Sequence, residues 1–184
     1  MVEQQIPHVE RRRRAGTLVQ QGVELFFRGH FEKALVFFDE ALEMDPGLVR
    51  AYVAKAMCMA QLGDPAAGQR LAEKAIALDD HYGTAYTARA LCRRRMGDVK
   101  GAVVDYQRAL ELAPDDFRVY YNFACFCAEQ GDEEKCREYL RYAFELSSAG
   151  FVEIAAQDPD LARYNRMEWF RDLVAEVKTK AAGG

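Results

Sequence analysis

The sequence predicts an all-α fold: a solenoid of four helix–turn–helix repeats followed by C-terminal capping helices. Three observations carry this. Residues recur every 34 positions, so that Ala41, Ala75, Ala109 and Ala143 share one column and Gly29, Gly63, Gly97 and Gly131 another. Within each period, apolar and small residues fall at helical spacing twice over, as in Leu18, Gly22 and Leu25 and again in Ala34, Phe38 and Ala41. Glycine then aspartate separates the two stripes at 63–64, 97–98 and 131–132, and proline closes the second stripe at Pro46 and Pro114.

Taken in chain order, the first element is a basic extension, residues 1–14. Four consecutive arginines, Arg11 to Arg14, cover every side of a helix. Residues 1–8 are therefore expected to be mobile and 9–14 a loosely held helical extension. Four repeats follow, at 15–48, 49–82, 83–116 and 117–150. Small residues at Gly22, Ala34 and Ala41 let two backbones approach, and Leu18, Leu25, Phe31 and Phe38 fill the space beside them. Glycine accepts the left-handed conformation that ends a helix, and the following aspartate caps the next one. In the first repeat His30 replaces that aspartate, which weakens the cap slightly. In the second, Gly68, Ala72 and Asp80 break the pattern, and a looser helix pair is expected there. The last segment, 151–184, reads as a cap over the fourth repeat. It holds one helix near 149–156, a break at Asp158–Pro159, and a second helix near 166–181 that carries Met167, Phe170, Leu173, Val174 and Val177 on one face, with Trp169 or Phe170 as anchor.

Composition excludes several classes. Half of the 184 residues are hydrophobic, enough for a sizeable core. The net charge of -4 argues against a general nucleic-acid binder. No apolar run reaches the roughly 18 residues of a membrane span, and "MVEQQIPHVERRRR" has no signal-like apolar stretch. Five scattered cysteines make an odd count, so a reducing cytoplasm is the expected home. His8, His30 and His81 lie apart, in the tail and in turns. Cys125 and Cys127, two apart on a helix, point in nearly opposite directions and cannot share a zinc ion. Cys58 and Cys92 hold the same place in neighbouring repeats and are expected near each other, as apolar filler. Neither a phosphate loop nor a nucleophile elbow is present. The reading is non-enzymatic, with no cofactor and no metal. An enzymatic role would need an unrecognised site built from Arg118, Tyr121 and Cys125.

These columns resemble the tetratricopeptide repeat, over 136 of 184 residues. The resemblance implies a right-handed α-solenoid whose first helices line a concave groove that holds an extended peptide or a helix. In this chain the groove face would comprise Val19, Val23 and Phe26, then Val53 and Met57, then Thr87, Leu91, Arg94 and Arg95, then Arg118, Tyr121 and Asn122. Its first half is apolar and its second half basic and polar. It thus suits a protein or peptide with apolar and acidic residues. Members of the family that grip heat-shock-chaperone tails use Lys, Asn and Arg at places where this chain has Val19, Val23, Ala54, Thr84 and Ala88, so that ligand is not expected. The expected role is a scaffold or adaptor. The alternatives are a secretion-chaperone-like holder of a client and, against the charge balance, a nucleic-acid-associated protein using Arg11–Arg14 and Arg93–Arg95. Self-association is left open.

Overall fold

A computed structural model describes residues 7–182, and every regular element among them is helical. The hairpins pair α1 (His8–Phe27) with α2 (Phe31–Met44), α3 (Val49–Gln61) with α4 (Pro65–Leu78), α5 (Gly83–Arg95) with α6 (Val99–Leu112), and α7 (Phe117–Gln130) with α8 (Glu133–Leu146). Then come α9 (Ala149–Ala155), a 3-10 turn (Pro159–Leu161) and α10 (Glu168–Ala182). Contacts divide the chain into two compact units, one up to Leu112 and one from Ala113.

The turn chemistry is as the glycine–aspartate pairs predict. Gly29, Gly63, Gly97 and Gly131 take φ of 75°, 87°, 80° and 77°, and no other described residue has a positive φ. The next N–H reaches back to close the helix: His30 to Leu25 O, Asp64 to Met59 O, Asp98 to Arg93 O and Asp132 to Cys127 O. The aspartate side chain then caps the following helix. Asp64 accepts from Ala67 N at 2.9 Å, Asp98 from Gly101 N at 2.9 Å and Asp132 from Lys135 N at 3.1 Å. His30 makes no such bond.

In the first unit, α2 packs on α3, α4 on α5, and the first helices α1, α3 and α5 stand against one another. One core cluster joins Ala15, Val19, Ala34, Phe38, Ala41, Ala51 and Cys58. A Cβ on Gly22 would stand 2.5 Å from the Phe38 ring, so a hydrogen there is what admits the phenylalanine. The second hairpin is not looser than the others. Gly68 and Ala72 are both buried, and a Cβ on Gly68 would meet Ala56 O at 2.7 Å. Small residues here bring the two backbones together instead of leaving a gap.

The basic extension is helical over 9–14, as expected, and side-chain bonds tie it to the end of α2. Helix α1 starts at His8 and runs through the arginines without a break, while residues 1–6 lie outside the described residues. All four arginines stay exposed. Arg11 Nη2 donates to Glu43 O and Arg12 Nε to Asp45 Oδ2, both at 3.2 Å, at the carbonyl end of α2. Arg14 pairs with Glu10 at 2.9 Å.

In the second unit, α10 packs on α8 and α9. The second helices begin at 31, 65, 99 and 133, and a further step of 34 gives 167, one residue before α10. Phe170 and Val177 occupy the columns of Cys136 and Ala143 and are buried, as is Leu173. The cap is therefore built on the repeat's own period, with Phe170 fully buried and Trp169 half-buried. Met167 lies exposed ahead of the helix. Asp158 falls in the column of Gly22, Ala56, Ala90 and Ala124, and with Pro159 after it the first helix of this segment breaks there.

Candidate functional site

The face of interest is the side of the first helices turned away from their hairpin partners. Its side chains sort by column. Val19, Val53 and Thr87 share a column and are buried in the first unit, because successive first helices abut there. Val19 joins the cluster around Phe38, and Val53 packs with Ala85 and Ala88. Leu91 is also buried, with Ala60 and Cys92. These four are corrections: the repeat resemblance implied an open groove face for them, and the structure buries them in the seams below it. Val23, Phe26, Met57 and Arg94 are half-buried. Arg95 is exposed and belongs to the outermost column with Phe27 and Gln61.

That outer column grades from apolar to basic. Phe27 is 78% exposed, with its ring edge-on to Phe26 at 5.7 Å. Phe26 in turn meets Phe31 at 5.3 Å. Arg95 Nη2 donates to the neutral Gln61 Oε1 at 2.7 Å, which holds the guanidinium over α3.

Arg93 serves elsewhere. Asp105 of α6, buried to 1% exposure, accepts two bonds from Arg89 at 2.9 and 2.7 Å and one from Arg93 at 2.8 Å. Arg93 also donates to Gly101 O at 3.2 Å and stands 3.7 Å from Asp98. Sequence reading missed this network. The signal was present in Asp105, an acidic residue between the buried columns of Ala102 and Ala109.

In the second unit the same face of α7 is covered by the chain itself. Phe151 packs edge-on against Phe117 and Tyr121, at 4.5 and 4.9 Å. Tyr121 OH donates to Asp158 Oδ2 at 2.5 Å, and Arg163 Nη1 donates to Ala128 O at 3.1 Å. Burial foremost, then Cys125 and Asp158, push the Tyr121 phenol up, so it stays protonated. Arg118 forks onto Asp116 at 2.8 and 2.6 Å, and Asn122 donates to Arg118 O at 2.7 Å. Of Arg118, Tyr121 and Cys125, the first is forked onto Asp116, the second is bonded to Asp158 and the third is buried.

All five cysteines are buried and free. Burial pushes the thiols of Cys58, Cys92, Cys127 and Cys136 up to about 12, far from a reactive thiolate. Cys58 and Cys92 belong to different clusters, one against α2 and the other beside Ala60 and Leu91. Among the described residues, one group could offer three metal ligands: the exposed turn Asp79, Asp80 and His81. Its atoms already serve one another. Asp79 accepts from His81 N at 3.0 Å, and His81 Nδ1 meets Asp80 at 2.6 Å. Among the described residues no helix is long and apolar enough to cross a membrane.

Comparison with known proteins agrees with this geometry. Two models of the tetratricopeptide repeat family match, at residues 83–116 and 105–138. The first spans the α5–α6 hairpin, and the second runs from within α6 through α7 into α8. Among solved structures, a thermophilic tetratricopeptide-repeat protein of Thermus thermophilus aligns over 92% of this chain and 97% of its own, with TM-score 0.71 and 17% identity. The pilF protein of Pseudomonas aeruginosa aligns over 91% and 78%, with TM-score 0.64 and 21% identity. The first such domain of Spaghetti (RPAP3), solved with the HSP90 peptide SRMEEVD, aligns over 59% and 88%, with TM-score 0.55 and 26% identity. The helix pairs, the glycine turns and the period of 34 residues all follow one pattern, and the chain is a tetratricopeptide-repeat protein.

Proposed function

We propose that this chain is a protein-interaction module that holds a segment of a partner protein along the first-helix face of the unit ending at Leu112. The observation that carries this is the row of Val23, Phe26 and Met57, half-buried, beside the exposed ring of Phe27. Apolar surface left open in this way gains roughly 25 cal/mol per Å² when a ligand covers it. A bound peptide on the Spaghetti domain supports a ligand of the same general kind, a linear segment with acidic residues. The chaperone-tail ligand itself is not proposed for this chain. Apolar or small residues stand at Val19, Val23, Ala54, Thr84 and Ala88, and Val19 is buried.

The arginines favour a protein partner over a polyanion. Arg11, Arg12, Arg14 and Arg93 are already engaged with carboxylates or carbonyls. The alternative of a client-holding chaperone finds no comparable support.

Selection of binders from a random peptide library against the full chain tests the proposal. Met57→Glu should weaken the selected peptides by at least about tenfold, because a carboxylate would be placed in the apolar row. Val104→Glu, at an exposed position of α6 away from that row, should leave them unchanged. Leu91 is unsuitable as a probe because it is buried. Equal affinity of wild type and Met57→Glu, with unchanged circular dichroism, would move the site elsewhere.

A further inference from the structure

We infer that the ligand is an extended segment in which an aromatic or large aliphatic side chain and a carboxylate stand about five or six residues apart, read by Phe27 at one end and Arg95 at the other. This rests on the binding face proposed above and narrows the kind of partner it fits.

The outermost column of the first unit holds three side chains of different chemistry. Phe27 closes α1, Gln61 closes α3 and Arg95 closes α5. All three are exposed. At the α1 end, Phe27 and the half-buried Phe26 present two rings at right angles, and Val23 lies one turn earlier. That surface takes an apolar side chain, and the exposed charges beside it, Glu24 and Arg28, are paired with each other at 2.6 Å. At the α5 end, Arg95 is bonded to a neutral amide, so its charge is oriented but not neutralised by that bond. A carboxylate arriving there gains a charge-assisted, fork-shaped partner. Between them Met57 and Gln61 accept the backbone and side chains of an unspecific stretch.

The spacing follows from packing. Neighbouring packed helices stand roughly 8–10 Å apart, so two steps, α1 to α3 to α5, span about 16–20 Å. An extended chain rises about 3.3 Å per residue and crosses that span in about five or six residues. A helix, at about 1.5 Å per residue, would need about eleven to thirteen. The two occupants are therefore distinguishable by separation alone.

The experiment uses labelled peptides rich in Ser and Thr, each carrying one Phe and one Glu at every separation up to about thirteen residues. Affinity for the full chain is read by fluorescence anisotropy. The expected result is an optimum at about five or six residues. Arg95→Glu should cost the optimal peptide about tenfold or more, and exchange of its Glu for Lys should restore the loss. Phe27→Ala should weaken every peptide that keeps the Phe. An optimum near eleven to thirteen residues would identify a helical occupant and overturn the extended one. A profile without an optimum, or indifference to Arg95→Glu, would overturn the pairing of the two ends. If such peptides still lose affinity with Met57→Glu, the binding face stands and only the spacing rule falls. If Met57→Glu has no effect either, both fall. Concentration-dependent dimerisation on light scattering that Arg95→Glu abolishes would assign the column to a second copy of the chain and likewise overturn the proposal.

Discussion

Asp105 shows how much one side chain can carry. Its carboxylate is buried on α6, and Arg89 and Arg93 of α5 reach it from their partly exposed positions. Removing it leaves two guanidinium groups facing one another where an anion stood. Asp105→Ala is expected to cost about 3–5 kcal/mol, toward the lower end because both arginines keep some water. Urea denaturation of the two proteins checks this. The cysteines make a second prediction. The thiols of Cys58, Cys92, Cys127 and Cys136 are raised from 9.0 to about 12 by burial, so the folded state holds their protons more tightly than the unfolded chain. Stability from this source is full below pH 9 and is lost as pH rises toward 12. The thermal midpoint should therefore fall with pH above 9, and a variant with Cys58 and Cys92 replaced by Ala should fall less steeply. Ellman's reagent should react slowly with the native chain and fully in denaturant.

The unit of construction is a hairpin whose turn does two jobs in two residues. Glycine ends one helix, and the next residue caps the other. His30 fills the second position in the first hairpin without making the bond. His30→Asp should therefore add about 1 kcal/mol, and Asp132→Ala should remove a similar amount. Thermal melts of both variants decide this. Between the helices, contact is so close that a methyl group cannot enter. Gly68→Ala would set a Cβ against the Ala56 carbonyl and the Cys92 sulfur, at 2.7 and 2.8 Å. Backbone cannot move aside cheaply, and a loss of about 1–3 kcal/mol is expected by denaturant titration. These features were legible in the sequence because each acts locally. A positive φ selects glycine and a cap selects aspartate, whatever the rest of the chain does. The expectation of a loose second hairpin failed on the same ground. It treated Gly68 and Ala72 as missing bulk, when their smallness is what closes the gap.

At the scale of whole compact units, the two ends of the described chain are finished differently. In the first unit α1 simply runs on, and its arginines reach the end of α2. In the second, α10 repeats the period of the second helices, and the broken segment before it lays Phe151 and Asp158 on Tyr121. Phe170, buried at the centre of that cap, is the residue to remove. Phe170→Ala should cost about 3–5 kcal/mol. Hydrogen exchange should then accelerate across α7 to α10 and stay unchanged in α3 and α4, which belong to the other unit. Acceleration throughout would show the two units to unfold together.

The order of amino acids is enough to place the helices, their turns, the period and the cap, because each follows from spacing along one chain and from backbone chemistry at single residues. It also set the order of apolar, neutral and basic residues along the outer column, from Phe27 through Gln61 to Arg95. Which columns stay open is fixed by packing between helices. Whether Val19, Val53, Thr87 and Leu91 face a ligand or a neighbouring helix depends on how the first helices are rotated against one another. That rotation is set by side chains more than thirty residues apart in sequence, which helical periodicity cannot report.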